Sequence, residues 1–324
     1  MKRALVISGG GALGAFAGGL TKKLYDNGIR WNSHYGTSTG ALLNTLIAVE
    51  DFDELKHIYT NVSNKDIFNK PPFSQKGRLN IFRVFYRLLS GKTSIGEAKN
   101  LHKLIKRTFT EEDFVKTIKN DKILCACVTN YTLGGVKYAY NYEEAYEDFV
   151  NYVYASASVP VAMNLVEIEG FQYLDGGVME HVPLQQAIND GADEVDVIVL
   201  RPDYSEMLNP YEYMWKPKNS IDVILRTLEL MLREISLADI IIGKLKAKNK
   251  TVKINIFYTP YRLSGNSLVF DNELMNKWWD MGYDTELNFE TTKVRVPGKT
   301  IREKWVSVKT NQNVTSVSLA SVRK

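Results

Sequence analysis

A chain of 324 residues with 44% apolar and 24% charged side chains can bury a sizeable core and has an ordinary globular composition, which excludes disorder as its default state. Its net charge of +4, spread along the chain, excludes a dedicated nucleic-acid binder. No apolar run approaches the roughly 18 residues of a membrane span, and the one after Met1 is too short for a signal peptide, so a cytoplasmic location is expected.

The first element is a buried-strand pattern at 3–8, "RALVIS", followed by "GGGALG" and then apolar residues at helical spacing over 13–26, with Asn27-Gly28 as a stop. A second strand near 31–35 runs into "GTSTG", and "ALLNTLIAVE" is again helical. This alternation of strand, glycine turn and helix is the grammar of a parallel α/β sheet. Further strands are expected at 122–129, 136–140, 195–200 and 252–258, one helix or two over 220–248, and a last helix at 272–282. Cys125 and Cys127, the only cysteines, are too close along a strand to pair with each other and too few for a zinc site, so they read as small buried side chains. From Thr285 onward the chain turns basic and rich in Ser and Thr, so a core domain over 1–284 and an extension over 285–324 are expected.

Gly9, Gly11 and Gly14 match the spacing of a dinucleotide fingerprint. That reading needs an acidic residue at the end of the second strand, and no Asp or Glu occurs from Asn27 to Val49. What stands there is Gly36-Thr37-Ser38-Thr39-Gly40, a G-x-S-x-G between strand and helix, the pattern of a nucleophile elbow. Two glycine turns on adjacent parallel strands share one sheet edge, where free backbone N–H groups beside a serine could stabilise an oxyanion.

The serine needs a base. Of the four histidines, His34 lies on the strand entering the elbow, and none follows His181, so the late histidine of an α/β-hydrolase is missing. Two arrangements remain open on the residues. Asp175, in "LDGGV" with Gly176 and Gly177 behind it, could face Ser38 directly, or His181 could stand between them.

With these residues in place the chain resembles the patatin-like phospholipase family over roughly residues 3–283, through "SGGGALG", "GTSTGAL", "ASASVP" at 155–160 and "LDGGV" in that order. The resemblance implies a three-layer α/β/α fold with a mainly parallel central sheet, a Ser38 nucleophile, Asp175 as general base without a histidine, and an oxyanion hole from the N–H groups of Gly10 and Gly11. Gly9, Gly14, Gly36, Gly40, Gly176 and Gly177 would support these motifs. The implied activity is hydrolysis of fatty-acyl esters of phospholipids or other lipids through an acyl-enzyme, with no metal or organic cofactor. The same fold could also serve as a silent or activator-dependent effector at a membrane. Many members of the family carry Lys or Arg before the last glycine of the first motif; here that residue is Leu13, which leaves the backbone donors unaffected.

Lys70 to Arg107 holds ten Lys or Arg and one acid, Glu97, and "RLNIFRVFYRLL" sets apolar residues against Arg78, Arg83 and Arg87. A basic amphipathic helix of this kind suits transient contact with an anionic membrane surface, or a core-packed face under a solvated basic one.

Overall fold

The structure, a computed structural model, describes residues 2–71, 85–86, 89–203, 220–264 and 266–287. The basic amphipathic segment lies outside the described residues except for Phe85, Tyr86 and Leu89, and the C-terminal extension lies outside them from residue 288.

Strand β1 (Arg3–Ile7) is buried on both faces, and its side chains alternate between two cores. Leu5 and Ile7 join one cluster with Phe16, Leu20 and Leu43, whereas Ala4 and Val6 join another with Val182, Leu184 and Ile240. The period of two therefore places helices on both sides of the strand. On the first side lie α1 (Gly14–Asp26), α2 (Thr39–Val49), α3 (Phe52–Asn61), the single turn α4 (Asn64–Ile67), α5 (Lys99–Thr108) and α6 (Glu111–Lys119). They are joined there by α7 (Tyr146–Ser156) and α10 (Asn272–Tyr283). On the second lie α8 (Leu184–Asn189) and α9 (Ser220–Lys250), the latter a single helix where the sequence allowed two.

Between these layers β2 (Ser33–Thr37) and β7 (Glu194–Val199) flank β1 in parallel, β3 (Ile123–Asn130) lies parallel to β2, and β8 (Lys253–Tyr258) parallel to β7. Beyond this parallel core the sheet turns antiparallel: β4 (Gly135–Tyr140) pairs along the edge of β3 away from β2, and β6 (Phe171–Asp175), which in turn pairs with β5 (Val166–Ile168), continues along the edge that β2 leaves after Cys127. The result is an α/β fold with a parallel centre and an antiparallel margin, in the order β5-β6-β3-β2-β1-β7-β8. The chain leaves β1 toward β2 on one side and reaches β7 on the other, so the loop after β1 sits at a topological switch point, where open α/β sheets bind ligands. No described helix is long and apolar enough to cross a membrane.

A buried carboxylate ties the outer end of this frame together. Asp196 on β7 is fully buried and receives Arg3 through Nε at 2.7 Å and Nη2 at 2.9 Å, Trp31 Nε1 at 2.8 Å and Asn255 Nδ2 at 2.7 Å. Four donors from three segments converge on one charge, so its removal leaves a part-buried guanidinium short of its main partner. Asp196→Ala is expected to lose about 3–5 kcal/mol of unfolding free energy in urea titration.

Candidate active site

Ile7 pairs with Gly36, so the loop after β1 and the elbow after β2 emerge side by side. Ser38 then adopts φ 55° and ψ −123°, a strained conformation for a residue with a side chain, and α2 begins at Thr39. The turn closes tightly because a Cβ on Gly40 would lie 2.1 Å from the carbonyl oxygen of Ile7, so only glycine lets the new helix start against β1. The elbow's own N–H is fixed from outside the motif. Ser38 N–H donates to Ser156 Oγ at 2.9 Å, and Ser156 Oγ donates to the carbonyl of Cys127 at 2.6 Å.

Asp175 ends β6 opposite Val128, the residue after the one that pairs with Thr37, so it meets the elbow end to end along the same edge of β3. The following residue crosses over β3: a Cβ on Gly176 would lie 2.2 Å from the Cys127 carbonyl oxygen and 3.2 Å from Thr37 Cγ2. That bare backbone brings the aspartate to the serine. Asp175 Oδ1 accepts Gly177 N–H at 2.8 Å, the Asp175 N–H donates to Ser158 O at 3.0 Å, and the Ser38 hydroxyl is near enough to favour the charged form of the carboxylate. Both residues are 7% exposed, so the serine is recessed, with the glycine loop packed against it.

In the loop after β1, Gly9 N–H donates to His181 O at 3.4 Å, Ala12 N–H to Ser267 O at 2.9 Å and Leu13 N–H to Gly10 O at 3.1 Å. The N–H groups of Gly10 and Gly11 have no acceptor among the described residues. A Cβ on Gly9 would stand 3.3 Å from Ser38 Cβ, which places this loop against the serine. Gly14 opens α1, and Gly36 and Gly40 bracket the elbow.

Beneath Ser38 a cavity of about 730 Å³, its opening to solvent included, runs into the helical layer. Gly11, Ser38 and Thr39 stand at one end, and its walls are overwhelmingly apolar, with Leu42 from α2, Ile58 from α3, Met163 and Phe270 among them.

A family model described as Patatin-like phospholipase matches residues 5–188, more than half of the chain and the stretch that holds the glycine loop, Ser38 and Asp175. The chain belongs to that family. Among solved structures, this patatin-like chain is similar to the crystal structure of VipD from Legionella pneumophila, at 14% identity and a TM-score of 0.44. The likeness covers 87% of this chain and 65% of that one, so the chain spans somewhat under two thirds of VipD. No curated protein matches.

The electrostatics of this patatin-like site follow from burial. Burial pushes the Asp175 carboxyl up to about 6, while the Gly177 N–H and the Ser38 hydroxyl pull it back down. Burial also raises Glu180 to about 7, against the Tyr138 hydroxyl and with help from the charge of Asp239, and raises Asp239 to about 6. Asp239 accepts the N–H groups of His181 and Val182 at 2.7 and 2.9 Å, which anchors the segment behind the aspartate to α9.

His181 does not bridge the pair. Its ring is wedged beside Gly9 and Gly177, with a Cβ on Gly9 falling 2.6 Å from its Cε1, and burial with the nearby Arg201 charge drives its pKa well down. His34 is likewise sealed inside β2, pushed to about 3 by burial and then by Lys122. Ser156 and Ser158 are the partners that sequence reasoning left without a role. The run "ASASVP" marks them only as small residues before a proline, and nothing local says which backbone they meet. Ser156→Ala is expected to cost about 1–3 kcal/mol in urea unfolding, because it leaves the Ser38 N–H buried without an acceptor.

Proposed function

We propose that this chain is a serine lipid acyl hydrolase of the phospholipase A type, acting through a Ser38–Asp175 dyad. The observation that carries the reading is a strained serine beside a buried carboxylate in the wall of an apolar cavity. An ester carbonyl placed over Ser38 would meet the N–H groups of Gly10 and Gly11, which have no acceptor among the described residues and are free to receive an oxyanion. Ser38 Oγ attacks the carbonyl carbon as Asp175 accepts its proton, and collapse of the tetrahedral intermediate expels the alcohol, which takes the proton back. The acyl group is then carried on Ser38 as an ester. A water molecule that gives its proton to Asp175 attacks that ester and releases the fatty acid, and Ser38 recovers the proton. A carboxyl near 6 suits this role, because it is ionised at neutral pH and still basic enough to share the serine proton.

The test is fatty-acid release from mixed phospholipid vesicles, read by mass spectrometry, with wild type and Ser38→Ala side by side. Release by wild type that vanishes in the variant is the expected result. No release from a folded wild type, together with no Ser38-dependent labelling by a fluorophosphonate, would overturn the reading.

A further inference from the structure

The cavity beneath Ser38 runs along two helices, and their axes give its length. From α2 it takes Thr39, Leu42, Thr45 and Leu46, and at about 1.5 Å per residue Leu46 lies about 12 Å beyond Ser38. From α5 it takes Leu101 through Thr108, about 10 Å of axis. The direction of α5 follows from its neighbour α7. Ser156, at the end of α7, holds the elbow, whereas Tyr146 and Glu147 at its start lie about 15 Å away along the axis. Tyr146 donates its hydroxyl to Phe109 O at 2.9 Å and Glu147 pairs with Lys106, so α5 descends from Leu101 to a deep end at Thr108.

Below that end the protein is solid. Phe109, Phe114 and Phe149 are buried and pack ring to ring, with centroids 5.6 to 6.4 Å apart. The two hydroxyls at the floor are spent on their own helices, Thr45 Oγ1 on Leu42 O at 2.8 Å and Thr108 Oγ1 on Leu104 O at 3.0 Å. Nothing at the bottom asks for a polar ligand atom, and the one chemically reactive group stands at the top.

We propose that this cavity measures the acyl chain, enclosing acyl groups of about eight to twelve carbons and setting their limit with Leu46 and Thr108. The inference rests on the hydrolase reading above. A zigzag hydrocarbon with bonds of about 1.5 Å advances about 1.25 Å per carbon, so 10 to 12 Å of depth takes about eight to ten methylenes past the carbonyl. Each methylene enclosed should raise kcat/KM about fourfold until the floor is reached. Palmitoyl and longer chains must fold back or leave their ends outside, so the gain stops there.

The experiment measures kcat/KM for 4-nitrophenyl esters from butyrate to palmitate with wild type, Thr108→Phe and Leu46→Ala. Fluorophosphonate labelling of Ser38 reports that each variant is folded and competent. Wild type is expected to peak between octanoate and dodecanoate. Thr108→Phe should lower the ratio of decanoate to butyrate by about tenfold, and Leu46→Ala should move the peak toward longer chains. In parallel, calorimetry of free fatty acids of the same lengths binding to Ser38→Ala reads the length limit without turnover. A profile that climbs unbroken to palmitate, or a peak that stays in place in both labelled variants, overturns the length limit and leaves the hydrolase standing. A length limit in fatty-acid binding without any turnover or labelling of wild type does the reverse.

Discussion

Ser38→Ala is expected to lower ester hydrolysis by at least about 10⁴-fold while the protein remains folded. The loss is of that size because both chemical steps run through Ser38 Oγ: without it no acyl-enzyme forms, and water at the same place lacks the serine's fixed aim. A companion variant separates the chemistry from the scaffold. Ser38 sits at φ 55° and ψ −123°, which costs any L-residue of order 1–3 kcal/mol and costs glycine little. Ser38→Gly should therefore be as inactive as Ser38→Ala yet melt higher than it in differential scanning calorimetry. If the two variants melt together, the elbow is not strained. If either keeps substantial activity against soluble esters, the nucleophile lies elsewhere.

The elbow and the glycine loop were legible in the sequence because each is local. A strand, a turn of small residues and a helix are written within about fifteen positions, and their alternation implies parallel pairing and a shared sheet edge. Asp175 was legible in position but not in reach. Its ability to face Ser38 depends on β6 running antiparallel beside β3 and on Gly176 passing over the Cys127 carbonyl, and a strand's direction is not encoded in its own apolar pattern. His181 illustrates the same limit from the other side. Six residues from the aspartate, it was a possible bridge, and only the packing of its ring beside Gly9 and Gly177 removes it. The cavity was not legible at all. Its walls come from α2, α3, α4 and α5 together with the loops before β5 and before α10, and leucines at helical spacing look the same whether they line a channel or fill a core. Ser156 reaches the elbow across 118 residues, a contact that no spacing rule announces.

Asp175→Asn should nearly abolish activity and at the same time raise the melting temperature above neutral pH. On the activity side, an amide cannot take the Ser38 proton, and a loss of about 10³–10⁴-fold in kcat/KM is expected from removing a positioned base. In wild type kcat/KM should rise as pH increases through about 6, where the buried carboxyl loses its proton and becomes able to accept one. The stability effect has the opposite sense. Asp175 has an ordinary value of 3.8 when unfolded and about 6 when folded, so between those values the folded state holds a proton that the unfolded state has lost. Rising pH therefore favours the unfolded chain across that window. At about 1.4 kcal/mol per pKa unit, the ionised carboxylate costs the folded protein about 3 kcal/mol above pH 6. Asparagine can still accept the Gly177 N–H through its carbonyl and carries no charge to bury, so the variant escapes that cost. The difference in melting temperature between variant and wild type should be several degrees at pH 8, shrink as pH falls through 6 and vanish near pH 4. Glu180 and Asp239, raised to about 7 and about 6, titrate in both proteins, so it is the difference between the two curves that isolates residue 175. A base kept ready for a serine proton inside an apolar wall is thus a standing burden on the fold, and a variant that lost activity without gaining stability at high pH would show that Asp175 is not carrying a buried charge.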